Sequence, residues 1–331
     1  MTFAQLTYRE SLRDIAAEWH AAMKQSRWCA RALAMSAVVS PVLVLPAFAH
    51  GFAGQRFFPA TILTDDPFVA DEMSLPTVTG NPPAAGGLRE TDIGFDLSKR
   101  ITPDLGMTIG EQWERVLPEG GAVAKGWGAL QTGVQYQFFV DEPRESIGLV
   151  GLNATWANTG RVQALGAPDF TTLSPVFDFG KGFGDLPDSV WYLRPFAVTG
   201  NLGFSLPTRA ESAGMPNPDS INYGFALEYS LSYLECCVRD VGLRRPFSQI
   251  IPLVEVAYTA PINRVPSSQA IGTIQPGIIW SGQTFQVGME AVVPATRATG
   301  HGLGWVAQLH FYLDDLFPGG IGRPISEWWQ Q

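Results

Sequence analysis

The feature that most constrains the fold is a strict alternation of apolar and polar residues over unusually long stretches. From 221 to 233 the odd positions carry Ile, Tyr, Phe and Leu, whereas the even positions carry Asn, Gly, Ala, Glu and Ser. A similar pattern runs from 130 to 140 and from 196 to 206. Successive side chains of a β-strand point to opposite faces, so a period of two predicts strands that each have one apolar face.

These strands are long enough to cross a bilayer. A tilted membrane-crossing strand needs about 9–11 residues, whereas strands of soluble proteins average about 5–6. Short turns, such as 186–189, alternate with longer loops, as expected when the two ends of a barrel carry different connections. We predict an all-β fold, a transmembrane antiparallel up-and-down β-barrel of about 12 strands; ten strands is the fallback and a soluble β-sandwich the alternative. The predicted strands cover 71–79, 91–101, 104–116, 127–140, 146–157, 171–184, 190–206, 220–235, 246–260, 270–281, 284–294 and 302–313.

The amino terminus has the pattern of a cleaved export signal. Basic residues precede an apolar stretch from 32 to 46, and Ala47-Phe48-Ala49 forms a small-x-small cleavage motif. The alternative is a membrane anchor, but the apolar stretch is shorter than the roughly 20 residues of a spanning helix. The predicted segments are a signal peptide (1–49), a pre-barrel segment (50–70), the β-barrel (71–313) and a C-terminal tail (314–331). The pre-barrel segment is expected either to enter the lumen as a plug or to lie at the periplasmic rim.

Composition excludes two broad classes of protein. With 46% apolar and 11% aromatic residues the chain has ample material for a core, which excludes intrinsic disorder. The formal net charge of −9 has the wrong sign for a nucleic-acid partner. The mean hydropathy of +0.06 is close to zero, which accords with a barrel. Only every second residue of a barrel strand faces lipid and is apolar, so the polar residues between them lower the average.

The polar faces of the strands predict which side chains line the lumen. Because the apolar faces must contact lipid, the opposite faces point inward, and glutamates there would direct passage toward neutral or cationic solutes. The alternative is that these side chains only fill the barrel with hydrogen bonds. The predicted lumen-lining residues are Gln131, Gln135, Gln137, Asn153, Asn201, Glu228, Glu255, Gln275, Glu290, Gln308 and His310.

No motif predicts catalysis, a metal site or a cofactor. The sequence contains no HExxH, no paired CxxC and no GxSxG. His301 together with Ser267 or Ser268 is the combination that a lipid-acting barrel enzyme would use, although their spacing does not favour it. The adjacent Cys236 and Cys237 form either a vicinal disulfide or two free thiols.

Two terminal motifs give the chain a family resemblance. The pre-barrel RFFPAT…TDDPFVADE (56–72) and the closing LHFYLDDLFPGGIGRPI (309–325) resemble the bacterial outer-membrane transporter family named for the meta-cleavage pathway of phenol degradation. The barrel strands match that family in pattern only. The resemblance implies a barrel of about twelve strands that passes small, often hydrophobic or aromatic compounds, and it supplies no catalytic residues.

We therefore expect a non-enzymatic channel or transporter in the cell outer membrane. Its expected partners are outer-membrane lipid and a small-molecule solute, with no nucleic acid. The first alternative is a non-conducting barrel with a structural or binding role, and the second is the lipid-acting enzyme.

Overall fold

Twelve antiparallel strands close into a barrel in the computed structural model of the chain. The structure describes residues 51–64, 66–83, 88–118, 120–160 and 169–329, so the predicted signal peptide, residues 1–49, lies outside the described residues. Each strand pairs with its neighbours in the chain, and the first pairs with the last to close the wall, which confirms the predicted barrel. The wall strands are β1 (Glu72–Gly80), β2 (Arg89–Arg100), β3 (Leu105–Leu117), β4 (Gln131–Asp141), β5 (Ser146–Thr155), β6 (Thr172–Gly182), β7 (Phe196–Pro207), β8 (Ser220–Tyr229), β9 (Ile250–Pro261), β10 (Ile271–Ser281), β11 (Phe285–Pro294) and β12 (Gly304–Tyr312).

The two faces of the wall differ in polarity. In β7, Leu202, Phe204 and Leu206 are exposed on the outer face, whereas Thr199 and Asn201 lie on the inner face. Large apolar side chains are exposed on strand after strand around the barrel. An apolar surface of this extent is stable only against lipid. The fold is therefore a transmembrane barrel, and the alternative of a soluble sandwich is wrong.

The two ends of the barrel carry different connections. At one end, which we call the turn end, the chain reverses at 101–104, 142–145 and 282–284. The opposite end, which we call the loop end, carries loops of 8 to 16 residues. The turn end also carries two long connections, 183–195 and 230–249, so the predicted short turn at 186–189 is wrong and the alternation of short turns with longer loops is incomplete. In outer-membrane barrels short turns face the periplasm and long loops face the exterior.

Several predicted strands are longer than the strands that form, including 127–140 and 246–260, which begin only at Gln131 and Ile250, and the two largest differences have a visible cause. The predicted strand 190–206 begins at Phe196, because Asp188–Leu193 is a 3-10 helix and the whole of 183–195 is a connection. The predicted strand 220–235 ends at Tyr229. There the Ser230 hydroxyl accepts a hydrogen bond from the Tyr233 N–H and caps a helical turn. The apolar pattern continues past the point where the backbone turns, so periodicity alone overestimates the length of both strands.

The remaining elements are short. Among the described residues, no helix has the length and apolar character needed to span a bilayer. Cys236 and Cys237, which the sequence leaves either oxidised or free, form a disulfide. The short strands are Phe52–Ala53, Arg56–Phe57, Ala124–Trp127, Glu211–Ser212 and Met215–Pro216; the helices are Glu142–Arg144, Asp188–Leu193, Leu231–Tyr233, Leu234–Val238, Phe247–Gln249, Ser267–Gln269, Leu313–Leu316 and Ile325–Glu327.

The lipid-facing surface predicts that a charge on the outer face of β7 is costly. We expect Leu202→Arg to lower the free energy of unfolding in lipid bilayers by about 2–4 kcal/mol, because an arginine near the bilayer midplane is desolvated. Leu202 is 46% exposed. If that surface faced water, replacing the leucine by arginine would leave the free energy of unfolding almost unchanged. The matched control is Asn201→Ser on the inner face, for which we expect a much smaller loss. Denaturant titration of heat-modifiable gel migration measures both, and equal stability of the two variants would contradict a lipid-facing Leu202.

Candidate functional site

The segment that precedes the barrel lies inside it. We call residues 51–71 the plug; Asp65 is not among the described residues. The plug begins with a small hairpin in which Phe52–Ala53 pairs with Arg56–Phe57. Phe58 and Phe68 then pack against the inner face of the wall at Ile147 and Ala197. The plug therefore shares a small apolar cluster with the barrel.

The tip of the plug is bound by a buried carboxylate of the wall. Glu255 on β9 is fully buried, and it accepts hydrogen bonds from three consecutive backbone N–H groups of the plug. Ile62 N lies 2.8 Å from Oε1, and Leu63 N and Thr64 N lie 3.0 and 2.8 Å from Oε2. The Thr64 hydroxyl donates a fourth hydrogen bond of 3.0 Å to Oε2. Hydrogen bonds to an ionised acceptor are roughly twice as strong as neutral ones, so Glu255 is the main polar attachment of the tip.

Glycines on the inner face of the wall make room for the plug. A Cβ on Gly288 of β11 would lie 2.7 Å from Ile62 Cδ1. A Cβ on Gly224 of β8 would lie 2.8 Å from Thr64 Cγ2. Real side chains do not approach so closely, so the plug occupies space that these glycines leave open.

A buried arginine fastens the base of the plug at the turn end. Arg56 is fully buried and pairs with Glu145, with 3.1 Å between Nε and Oε2. Its other nitrogens donate to the carbonyl oxygens of Pro195 and Arg194 at 3.0 and 2.6 Å. The guanidinium also lies 3.6 Å from the centre of the Tyr233 ring. Each of the three guanidinium nitrogens therefore donates a hydrogen bond, and the face of the group lies against an aromatic ring.

Tyr233 completes this anchor from the connection after β8. Its hydroxyl donates a hydrogen bond of 2.5 Å to Glu145 Oε1. Burial, together with the hydrogen bond to Glu145, raises the pKa of Tyr233 to about 12. The phenol therefore stays protonated and keeps donating to the carboxylate at any physiological pH.

Two glutamines hold the plug between its tip and its base. Gln286 on β11 donates through Nε2 to the Ala60 carbonyl at 2.5 Å and accepts a bond of 2.6 Å from the Tyr312 hydroxyl. Gln137 on β4 accepts a bond of 3.2 Å from Val69 N. The plug is thus attached to opposite sides of the barrel by polar groups.

The last plug residue joins the plug to the rim and to the C-terminal tail. The buried Asp71 carboxylate accepts bonds from Lys99 Nζ at 2.5 Å and from Arg100 Nε at 2.8 Å. The Asp71 carbonyl accepts from Leu313 N at 2.8 Å. The Lys99 ammonium also donates to the Arg323 carbonyl in the tail. The tail therefore lies under the turn end and shares its contacts with the base of the plug.

Three cavities surround the plug. A cavity of about 670 Å³ lies at the turn end between the plug hairpin and the connection after β8. A second, of about 220 Å³, lies beside the plug in mid-barrel. A third, of about 470 Å³, lies between the tip residues Ile62 and Leu63 and the loop end. The tip residues Ile62 and Leu63 line both the second and the third cavity, so the plug tip lies between those two spaces.

The structure distributes the predicted lumen residues over distinct surroundings. Five of them line the mid-barrel cavity, namely Gln131, Gln135, Asn153, Gln308 and His310. Gln275 lines the loop-end cavity, and Gln137 and Glu255 bind the plug. Glu228 accepts a bond of 3.2 Å from the Thr199 hydroxyl, Asn201 lies opposite Gly224, and Glu290 lies over Gly277.

Several residues at this site were missed by the sequence prediction. Arg56 and Glu145 lie outside the predicted strands and Asp71 at the start of one, so alternation gives no signal for them, whereas Gln286 and Tyr312 are in phase with Glu290 and His310 and could have been found from the pattern. Arg56 is the charged residue of an otherwise uncharged stretch, 51–64, and arginine is rarely buried unless paired. That isolation points to a buried ion pair, but it does not identify Glu145 as the partner.

The residues considered for lipid chemistry do not form a catalytic arrangement in this structure. Ser267 and Ser268 lie in the loop after β9 and His301 in the loop after β11, and no hydrogen bond joins them in the described chain. Among the residues that the structure describes, no three or more His, Cys, Asp or Glu side chains are placed so that they could hold a metal ion.

Comparison with known proteins finds similarity of fold. No family model and no curated protein matches the sequence. Among solved structures, an outer-membrane channel from Pseudomonas putida F1 is 12% identical with a TM-score of 0.49, over 73% of this chain and 95% of that chain. The NanC porin is 8% identical with a TM-score of 0.44, over 72% of this chain and 98% of the porin chain. The KdgM porin is 7% identical with a TM-score of 0.42, over the same shares.

Proposed function

We propose that the protein is an outer-membrane channel for small solutes, in which the plug is the gate. The observation that carries the proposal is the way in which the lumen is filled. The inner face of the wall carries small and polar residues, and the space that they leave is occupied by a separate segment. That segment is held at its tip by hydrogen bonds to Glu255. Barrels of more than about eight strands leave interior space that their own side chains do not fill, and in this barrel a separate segment occupies part of it.

The loop-end cavity supports a solute with an apolar body. Its lining combines Ile62, Leu63, Val292 and Val306 with threonine side chains and Gln275. A mainly apolar surface with a few polar groups is typical of sites for small molecules, and about 470 Å³ lies within their usual range. We therefore propose hydrophobic or aromatic compounds as the solute class, which is also what the family resemblance implies.

Solute flux with and without the plug tests the proposal. We compare liposome swelling for the full chain and for a variant lacking residues 52–68, both verified as folded by heat-modifiable gel migration. We expect little swelling with the full chain and rapid entry of small sugars with the deletion, because removal of the plug joins the three cavities. A folded deletion variant that passes no solute would overturn the channel and favour the non-conducting alternative.

A further inference from the structure

The C-terminal tail presents an apolar surface at the turn end of the barrel. Trp328 is 43% exposed and the adjacent Trp329 is 83% exposed, although tryptophan is highly buried on average. Three further large apolar side chains of the tail are exposed, namely Leu316, Phe317 and Ile321. Exposed apolar side chains that cluster in this way mark a surface that binds a partner or a membrane.

The tail is fastened to one part of the rim. Lys99 Nζ donates to the Arg323 carbonyl at 2.7 Å, and Trp328 Nε1 donates to the same carbonyl at 3.1 Å. Further along the tail, Ser326 N donates to the Ile101 carbonyl at 2.9 Å. The tail therefore runs along the turn between β2 and β3, and the position of its tryptophans is set by hydrogen bonds to that turn.

Trp328 lies beside the lipid-facing surface of this part of the wall. Lys99 is in phase with Ile93, which is exposed on the outer face of β2. Its partner on β3 is Met107, which is 45% exposed on the same face. The Lys99 ammonium lies 5.6 Å from the centre of the Trp328 ring. The tail therefore continues the lipid-facing surface at its periplasmic edge.

The wall strands beside the tail lack an aromatic residue that most other strands carry. Within four residues of the turn end, seven strands have an aromatic side chain on the outer face: Phe139, Phe179, Phe196, Tyr229, Trp280, Phe285 and Phe311 on β4, β6, β7, β8, β10, β11 and β12. The strands β5 and β9 have none there, but each lies between two strands that do. The adjacent strands β1, β2 and β3, all of whose residues are described, also have none there.

The gap and the tail occupy the same sector of the barrel. Aromatic residues of membrane barrels form belts at both membrane–water interfaces. The belt at the turn end is interrupted over the three adjacent strands β1, β2 and β3. The tail, which follows the turn between β2 and β3, places two tryptophans at that interruption.

We propose that the C-terminal tail binds the periplasmic leaflet of the outer membrane and completes the aromatic belt over β1, β2 and β3. Trp328 and Trp329 lie at the level of the lipid headgroups, where tryptophan is favoured because its ring is apolar and its N–H is polar. The inference is independent of the proposed function, because a barrel that conducts no solute would make the same contact with lipid.

Depth-dependent fluorescence quenching in phosphatidylcholine vesicles tests the position of the tail. A bimane label is attached to Trp329→Cys in the full chain, which also carries Cys29→Ser so that the disulfide holds the two remaining cysteines. Heat-modifiable gel migration verifies that the labelled barrel is folded. We expect a larger loss of emission with lipids that carry a nitroxide near the headgroup than with lipids that carry it near the bilayer centre, because the belt lies at the interface.

Two further label positions calibrate the result. Phe285→Cys places the label in the belt on β11 and should be quenched in the same order as the Trp329 label. Met215→Cys places it in the hairpin of a loop-end connection, where Met215 is 70% exposed, and should be quenched little by either lipid. A Trp329 label that is quenched no more than the Met215 label would overturn the proposal and would leave the tail as a water-facing surface for a protein partner. Stronger quenching from the bilayer centre than from the headgroup would also overturn it.

Discussion

Replacing Glu255 by glutamine is expected to open the barrel. The substitution keeps the size of the side chain, but it removes the charge and replaces one acceptor oxygen by an NH₂ group that faces the plug's own N–H donors. Each hydrogen bond to a charged group contributes about 1.5–3 kcal/mol, and about 1.4 kcal/mol changes an equilibrium tenfold. Loss of two of the four bonds would therefore shift the plug toward its released state by about 100-fold or more.

Planar-bilayer recordings measure this shift as the fraction of time for which single channels conduct. The matched control is Glu228→Gln on the adjacent strand β8. Glu228 is also almost fully buried, but it accepts a hydrogen bond from Thr199 of the wall and not from the plug. We expect the fraction of time spent open to be about 100-fold larger for Glu255→Gln than for Glu228→Gln. Indistinguishable records from the two variants would show that Glu255 does not hold the gate.

Replacing Arg56 by methionine is expected to destabilise the base of the plug. The change keeps much of the apolar stem, but it removes the ion pair with Glu145 and the bonds to two carbonyl oxygens. Removing one partner of a buried ion pair typically costs about 3–5 kcal/mol. We expect a value near the lower limit, about 3 kcal/mol, because Glu145 still accepts from Tyr233 and Gly184.

The control for this variant is an exposed arginine at the same end of the barrel. The Arg144 side chain is 74% exposed and pairs with Asp141 across a short turn. Exposed ion pairs contribute little to stability, so Arg144→Met should leave the unfolding midpoint in denaturant unchanged. Limited proteolysis of the folded barrels gives a second reading, since only Arg56→Met should expose the plug to cleavage. Equal midpoints and equal cleavage would contradict the buried anchor.

The wall of the barrel could be predicted because strand periodicity is a local property. Alternation in 196–206 and 221–233 depends on neighbouring residues, and the same alternation puts Leu202 outside and Asn201 inside. The prediction erred where local contacts compete, as at Ser230, whose hydroxyl caps a helical turn and ends β8 early. Strand ends depend on such caps, which a pattern of period two does not encode.

The placement of the plug was decided by the tertiary structure. The sequence allowed residues 50–70 to enter the lumen or to lie at the rim, and both placements suit a short segment with phenylalanines and one arginine. Ile62 meets Glu255 across a sequence separation of 193 residues, and Arg56 meets Glu145 across 89. Such contacts exist only once the barrel has closed and brought distant strands around the same space.

The sequence by itself determined a transmembrane β-wall with a polar inner face, because lipid outside and water inside impose opposite demands on alternate residues. The tertiary structure decided what the inner face does. Among three glutamates that the pattern treats alike, Glu255 binds the plug, Glu228 bonds to Thr199 of the wall and Glu290 packs over Gly277 of the neighbouring strand. Their roles differ because each depends on which groups the closed barrel places within hydrogen-bonding distance, and no periodicity along the chain carries that information.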